Sequence, residues 1–314
     1  MLAPKPLPKR LEIKRMTVCM AALAANSKAL VCIADKALSY GETITWDSDS
    51  SKMFTLNPSG TLVLFAGGER DTGEIIARLI ASQDKIGTSK SETKKKIEAE
   101  SKDAIDFLVD RLYLSPRQLK REEYVAAISG QQINSHIRKV AEEIDEFSLG
   151  CHLIVCGSDS GNLFILNMDS SGIATDMSMT GFHAIGSGWE QAIGRLLFSE
   201  HERKHSVGRV LYDCVDAKFG AELDPSVGYE WDAWVMLPGK LGTYPVPKKI
   251  KDLVESAWAK FSRSPFEKYD RKVHKPGPPK GWEKTLEEFS ELITKASLNN
   301  PAAKKKLRAM ADSD

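Results

Sequence analysis

Four short pieces decide the fold: Thr17-Val18-Cys19-Met20-Ala21-Ala22, Ala34-Asp35-Lys36, Ser51-Lys52-Met53 and Phe65-Ala66-Gly67-Gly68. A small hydroxyl residue opens a strand directly after Met16. A carboxylate ends the next strand, a lysine opens a third, and a double glycine closes a fourth. Val18–Ala24 and Ala29–Ala34 are apolar runs separated by Asn26-Ser27-Lys28, which reads as a β-hairpin. The runs are nearly continuous rather than alternating, so both faces are expected to be covered. Met53–Leu56 and Leu62–Ala66 read as a second hairpin around Asn57-Pro58-Ser59-Gly60. The polar stretch Tyr40–Ser51 between the hairpins reads as a loop over the first pieces.

These residue types suit hydrolysis by an N-terminal threonine. A threonine hydroxyl is a weak nucleophile and needs a base beside it. If the chain begins at Thr17, its free α-amine is that base. Lys52 against the hydroxyl would lower the hydroxyl's pKa, and Asp35 would hold Lys52 charged and in place. The backbone N–H at Gly67 could receive an oxyanion, because glycine lets a backbone approach a ligand closely.

Farther along, Ile75, Ile76, Leu79 and Ile80 sit at helical spacing, with Asp71-Thr72 as cap candidates. Thr88 to Phe147 is polar and helix-rich. Ile97, Ile105, Leu108 and Leu112 mark one amphipathic helix; Ile133, Ile137, Val140 and Ile144 mark another. Lys94-Lys95-Lys96 reads as a solvated helix face, and Ser115–Gln132 between the helices as an insertion at a subunit contact. Leu153–Cys156, Leu163–Asn167 and Phe182–Ile185 return to strand character. Ala192, Leu196 and Leu197, then Val207, Val210, Leu211, Val215 and Phe219, mark two helices before the strand Trp231–Leu237. Strands, helices, strands, helices and a strand in that order call for two stacked sheets with helices outside.

The order Thr17, Asp35, Lys52, Ala66-Gly67-Gly68, followed by Gly186-Ser187-Gly188 before a helix, resembles the β-type subunits of the proteasome and bacterial proteasome-like proteins, within the Ntn-hydrolase superfamily. The resemblance covers roughly Thr17 to Leu237. It implies a four-layer α/β/β/α sandwich of two stacked antiparallel sheets, and a threonine-type peptidase or amidase acting on a peptide or protein. It gives Ser187 a supporting role beside the nucleophile, and Asp224 in Asp224-Pro225-Ser226-Val227-Gly228 a role with it. The family places an arginine two residues past the aspartate, where this chain has Ala37, and its Asp, Ser and Gly near the last helix fall at a different spacing. The resemblance further implies homo-oligomeric rings and an unfoldase or regulatory partner. Glu69 and Arg70, just after the glycines, are the candidate rim of a substrate pocket. A catalytically silent scaffold and an acyl-transferring ligase of the same fold remain alternatives.

The chain of 314 residues divides on this reading into residues 1–16, a domain at 17–239 and a helical, charged extension at 240–314. Residues 1–16 carry three prolines and five basic residues with no apolar core, unlike a secretory signal. They are either a propeptide or residues upstream of a true start at Met16. In the extension, Ile250, Leu253, Val254, Ala257 and Phe261 form one stripe and Leu286, Phe289 and Ile293 a second, with Pro301 opening a last helix. Such stripes are expected to pack across the domain or onto an adjacent subunit.

Forty-four basic against 43 acidic side chains give no global field for nucleic acid or a membrane surface. No apolar run reaches the about 20 residues that span a bilayer. The five cysteines include no C-x-x-C pair, and strand alternation points Cys151 and His152 to opposite faces, so neither metal nor cofactor is expected. Unpaired cysteines suggest the cytoplasm. His152 and His183, in strand-like runs, read as structural. Ser187 lacks the G-x-S-x-G context of a triad serine.

Overall fold

A computed structural model describes residues 17–40, 44–47, 51–57, 60–86, 89–130, 134–224, 227–239, 242–261, 280–298 and 300–311. The first hairpin, β1 (Cys19–Ala24) and β2 (Ala29–Asp35), is buried along both strands. Alternation divides its side chains cleanly. Met20, Ala22, Val31 and Ile33 enter one core, while Cys19, Ala21, Leu23, Leu30 and Cys32 enter another. A strand covered on both faces has no polar face to show, and this explains the unbroken apolar runs.

The strands form two five-stranded antiparallel sheets. The first runs β10 (Phe182–Ile185), β1, β2, β11 (Trp231–Leu237), β12 (Gly242–Pro245). The second runs β5 (Met53–Thr55), β6 (Leu62–Gly67), β7 (Cys151–Asp159), β8 (Asn162–Met168), β9 (Ala174–Asp176). Cys19, Leu30, Leu64, Ile154 and Ile165 meet between them. The far face of the second sheet packs Val63, Leu153 and Val155 against α1 (Glu69–Ala81) and α2 (Lys90–Val109). The far face of the first packs against α5 (Trp189–Phe198) and α6 (Val207–Ala221). Three cores separate four layers, the α/β/β/α sandwich that the sequence implied. Between α2 and β7 in chain order lie α3 (Arg121–Ser129) and α4 (Ser135–Asp145).

The structure corrects the sequence reading at several points. The stretch read as a loop, Tyr40–Ser51, contains β4 (Ile44–Asp47), which pairs with β3 (Ala37–Tyr40) in a two-stranded ribbon. Polar neighbours masked the β-branched and aromatic content of Ile44-Thr45-Trp46. Asp71 and Thr72 do not cap α1; its N-cap is Gly68, and both residues lie inside the first turn. Asp71 is buried and turns outward from its helix, accepting from the Gly150 N–H at 2.7 Å and from Arg70 Nε at 2.6 Å. Within the segment read as an insertion, residues 115–130 hold a 3-10 turn and α3, whose Arg121 pairs with Asp106 of α2 and with Asp110 just past its end. Ile133 lies outside the described residues. Ile80, Leu197 and Phe261, read as members of apolar stripes, are exposed.

The chain continues past Gly239 into the first sheet: β12 pairs with β11 in register Val235↔Tyr244. Then α7 (Lys248–Phe261), α8 (Trp282–Ser297) and α9 (Pro301–Ala311) follow. Val254, Trp258, Phe289, Ile293 and Leu307 are buried in the same core as α6 and the first sheet. Polar clamps accompany the apolar contact. Trp231 Nε1 donates to Glu255, Trp258 Nε1 to Asp216, and the Gly208 N–H to Ser290 Oγ, each at 2.7 Å. Of the two packings expected for the stripes, the described residues adopt the one across their own domain.

Ile154 is fully buried between the sheets. Ile154→Ala is expected to lower stability by about 2–5 kcal/mol through lost transfer energy and a residual cavity. Urea unfolding of the two proteins checks this, with an unchanged slope and a lower midpoint as the expected result.

Candidate active site

Thr17, Asp35 and Lys52 come together in one buried cluster. The hairpin positions the first two. Thr17 immediately precedes β1, and Asp35 ends β2, the antiparallel neighbour. The backbone ties the strands' ends together, with the Asp35 N–H donating to Val18 O at 3.0 Å. Lys52 enters from the second sheet, one residue before β5, where its carbonyl accepts from the Phe65 N–H at 3.2 Å. The three side chains form a closed triangle. Lys52 Nζ donates to Thr17 Oγ1 and, at 2.8 Å, to Asp35 Oδ1; Thr17 Oγ1 donates to the same carboxylate oxygen.

Asp35 is fully buried, and a buried carboxylate is costly unless its oxygens are filled. Two further backbone N–H groups fill them: Val18 to Oδ1 at 3.2 Å and Gly228 to Oδ2 at 3.0 Å. The Gly228 contact is absent from the sequence reading, which took Asp224 as the functional residue of that segment. Asp224 lies just after α6, where its N–H donates to Ala221 O and its carbonyl accepts from the Val227 N–H. Pro225 and Ser226 lie outside the described residues.

Gly186-Ser187-Gly188 meets Thr17 on its backbone side. The Thr17 N–H donates to Ser187 Oγ at 3.2 Å, and the Gly188 N–H donates to Thr17 O at 3.3 Å. Gly186 has φ +95°, and a Cβ there would lie 2.2 Å from Thr17 O. Only glycine fits both the left-handed backbone and the approach. The atom that would become the α-amine of a chain starting at Thr17 therefore already faces a hydroxyl.

Gly67 ends β6 opposite Cys151. A Cβ there would fall 2.4 Å from Cys151 Cα, so strand packing alone requires the glycine. Glu69 and Arg70 open α1 with exposed side chains, and Arg70 is held by its ion pair to Asp71. The rim role of these two residues is not visible in any contact that they make.

Cys19 is the nearest alternative nucleophile, and its environment disarms it. Burial pushes its thiol up to about 12, well above neutral pH, and its Sγ donates to Phe65 O at 3.3 Å. All five cysteines are buried, and none forms a disulfide among the described residues. Iodoacetamide at pH 8 is expected to label none of them in the native protein and all five after denaturation, as read by intact mass.

His152 and His183 project between the sheets from β7 and β10. Burial, with His152 nearby, lowers His183 to about 4 from an ordinary 6.5. The folded state thus favours the neutral ring. Its contribution is complete above pH 6.5 and is lost as pH falls through about 4. Urea midpoints are expected to drop between pH 7 and pH 4.5, with a shallower fall in His183→Gln.

No family model matches the chain, and no curated protein matches it. Among solved structures, the chain is similar to the eukaryotic HslV from Trypanosoma brucei, at 17% identity and a TM-score of 0.43. The similarity covers 70% of this chain and 99% of that one.

Proposed function

We propose that this chain is a threonine-type peptidase or amidase of the Ntn-hydrolase kind, with Thr17 as nucleophile once it is the first residue. The observation that carries the reading is the buried triangle of Thr17, Lys52 and Asp35, with Thr17 N on Ser187 Oγ. A triangle of this kind prepares a hydroxyl for attack. Lys52, donating to Oγ1, stabilises negative charge developing there, and Asp35 holds the ammonium in place and aims it.

The missing part is the base. While residues 1–16 are attached, Thr17 N is an amide without a lone pair to offer. Released, the α-amine takes the Oγ1 proton as Oγ1 bonds to the substrate carbonyl carbon. The amine then passes that proton to the leaving nitrogen as the C–N bond breaks, leaving an acyl ester on Oγ1. Water repeats the cycle and frees the acid. In this proposal Ser187 orients the amine, the Gly67 N–H receives the oxyanion, Asp224 supports the serine segment, and Glu69 with Arg70 rims the pocket. No metal or cofactor enters the steps.

Intact mass of the purified protein is expected to show a chain starting at Thr17, and a population wholly retaining residues 1–16 would refute the mechanism. A threonine-reactive β-lactone is expected to acylate the mature chain once, and Thr17→Ala to abolish the adduct. Lys52→Ala is expected to slow peptide cleavage by about 10²–10³-fold, the range for loss of a group that stabilises developing negative charge. Label retained by Thr17→Ala would assign the nucleophile elsewhere. The same adduct in a protein without hydrolytic turnover would favour acyl transfer over hydrolysis. The reading includes a homo-oligomer, and light scattering of the full chain that gives a monomer mass would remove it.

A further inference from the structure

At the opposite end of β1 from Thr17, eight residues of extended chain and on the order of 25 Å away, lies a second cluster. His201 and His205 stand in the turn between α5 and α6, and Asp213 stands in the second turn of α6. One ligand atom from each lies within 4.8 Å of the others. We propose that His201, His205 and Asp213 bind a divalent transition-metal ion of the zinc class.

The donor set and its surroundings support this. Both ring nitrogens of His201 are buried; the Gly181 and Leu23 backbones lie beside the ring, but neither nitrogen makes a hydrogen bond of good geometry among the described residues. A buried imidazole so left is costly, and a metal would answer it. The ring is fixed edge-on against Phe182, with centroids 5.4 Å apart. In His205, Nδ1 accepts from the Glu202 N–H at 3.3 Å. A ring accepting there carries its proton on Nε2, so the lone pair open to a metal is the one on Nδ1, and ligation exchanges the Glu202 contact for the ion. Asp213 is buried and brings an oxygen donor with negative charge.

Two imidazoles and a carboxylate select zinc-class ions over magnesium or calcium, which prefer all-oxygen sites. Tetrahedral zinc holds its ligands about 3.4 Å apart at bonds of about 2.0–2.1 Å, so the cluster must contract by roughly 1 Å. His205, part-exposed on a turn, can supply that motion. The fourth position would be left to solvent.

Arg209 now occupies the place of a cation. Its Nε donates to both Asp213 oxygens, at 2.9 and 3.0 Å. The Arg209 side chain is half exposed, with an alternative acceptor in Ser199 O at 3.2 Å. Metal entry therefore exchanges Arg209 for the ion on Asp213. What the ion would fix is also visible. The loop carrying His205 holds the β1–β2 turn, with Ala25 N–H donating to His205 O at 2.8 Å and Asn26 N–H to Arg203 O at 2.7 Å. Ala25, Asn26 and Ser27 all have positive φ, a conformation that non-glycine residues sustain only when held. The site is a clasp on that turn, and not part of the Thr17 chemistry.

The test titrates the tag-free, chelator-stripped full chain with Zn2+ by calorimetry, and with Co2+ for the visible absorption of a tetrahedral site. One equivalent per chain is expected, with a higher Tm. His205→Ala and Asp213→Asn are each expected to weaken binding by more than the about 10–100-fold that loss of an outer partner costs. Arg209→Gln is expected to tighten it, and Thr17→Ala to leave it unchanged. Absence of stoichiometric binding, or binding that survives both ligand variants, would overturn the site. Binding that fails to tighten in Arg209→Gln would overturn the exchange at Asp213.

Discussion

The Asp35 carboxylate is the constraint around which the N-terminal half is built. It is wholly buried, and a charge placed there is tolerable only with its lone pairs occupied. Its donors are four residues from three separate parts of the chain: Thr17 and Val18 at the start of β1, Lys52 from the second sheet, and Gly228 from the approach to β11. Satisfying one carboxylate therefore joins the two sheets and fixes the segment ahead of the closing strand. Lys52 is almost as buried, so neither member of the pair can be removed without leaving the other uncompensated. Loss of one partner of such a pair costs about 3–5 kcal/mol, far more than an exposed ion pair would. Substitutions in this cluster act on stability as well as on any chemistry. The conservative Lys52→Met, which keeps the aliphatic stem, would still strand Asp35.

Much of this was legible in the sequence, for definable reasons. The hairpin of β1 and β2 is continuous apolar chain, and continuity is what a strand covered on both faces looks like. Thr17, Asp35 and Lys52 stand out because each is a polar residue at the edge of an apolar run. The Gly186-Ser187-Gly188 segment was visible through the family resemblance; Gly186 is needed for close approach to Thr17, and Gly188 for the approach to Ala221 and Val227. The missed features share another property: they leave no mark in side-chain pattern. The Gly228 N–H is a backbone donor, and any residue carries one. The edge strand β12 reads Gly-Thr-Tyr-Pro, with a proline that a central strand would not admit but an edge tolerates. Asp71 looks like a cap and is used instead to hold the Gly150 backbone.

The C-terminal helices change what an assembly argument can rest on. The apolar stripes of α7 and α8 looked like surface in need of a neighbour. In the folded chain they are spent internally: Val254, Trp258, Phe289 and Ile293 are as buried as the strands beneath them. Ser290 reaches under α6 to take the Gly208 N–H, so α8 is seated by a directional contact as well as by area. A chain cut at Gly239 would lose β12 from the sheet and uncover the outer face of α6, including Phe219, which stacks edge-on against Trp258 at 4.5 Å. Such a truncation would expose apolar surface and associate for that reason alone. Its mass in solution would report damage to the first sheet's cover, not the removal of an intersubunit contact. Assembly must be read from the intact chain, with point changes at exposed apolar positions such as Phe198 or Leu197 on α5, whose loss leaves the core untouched.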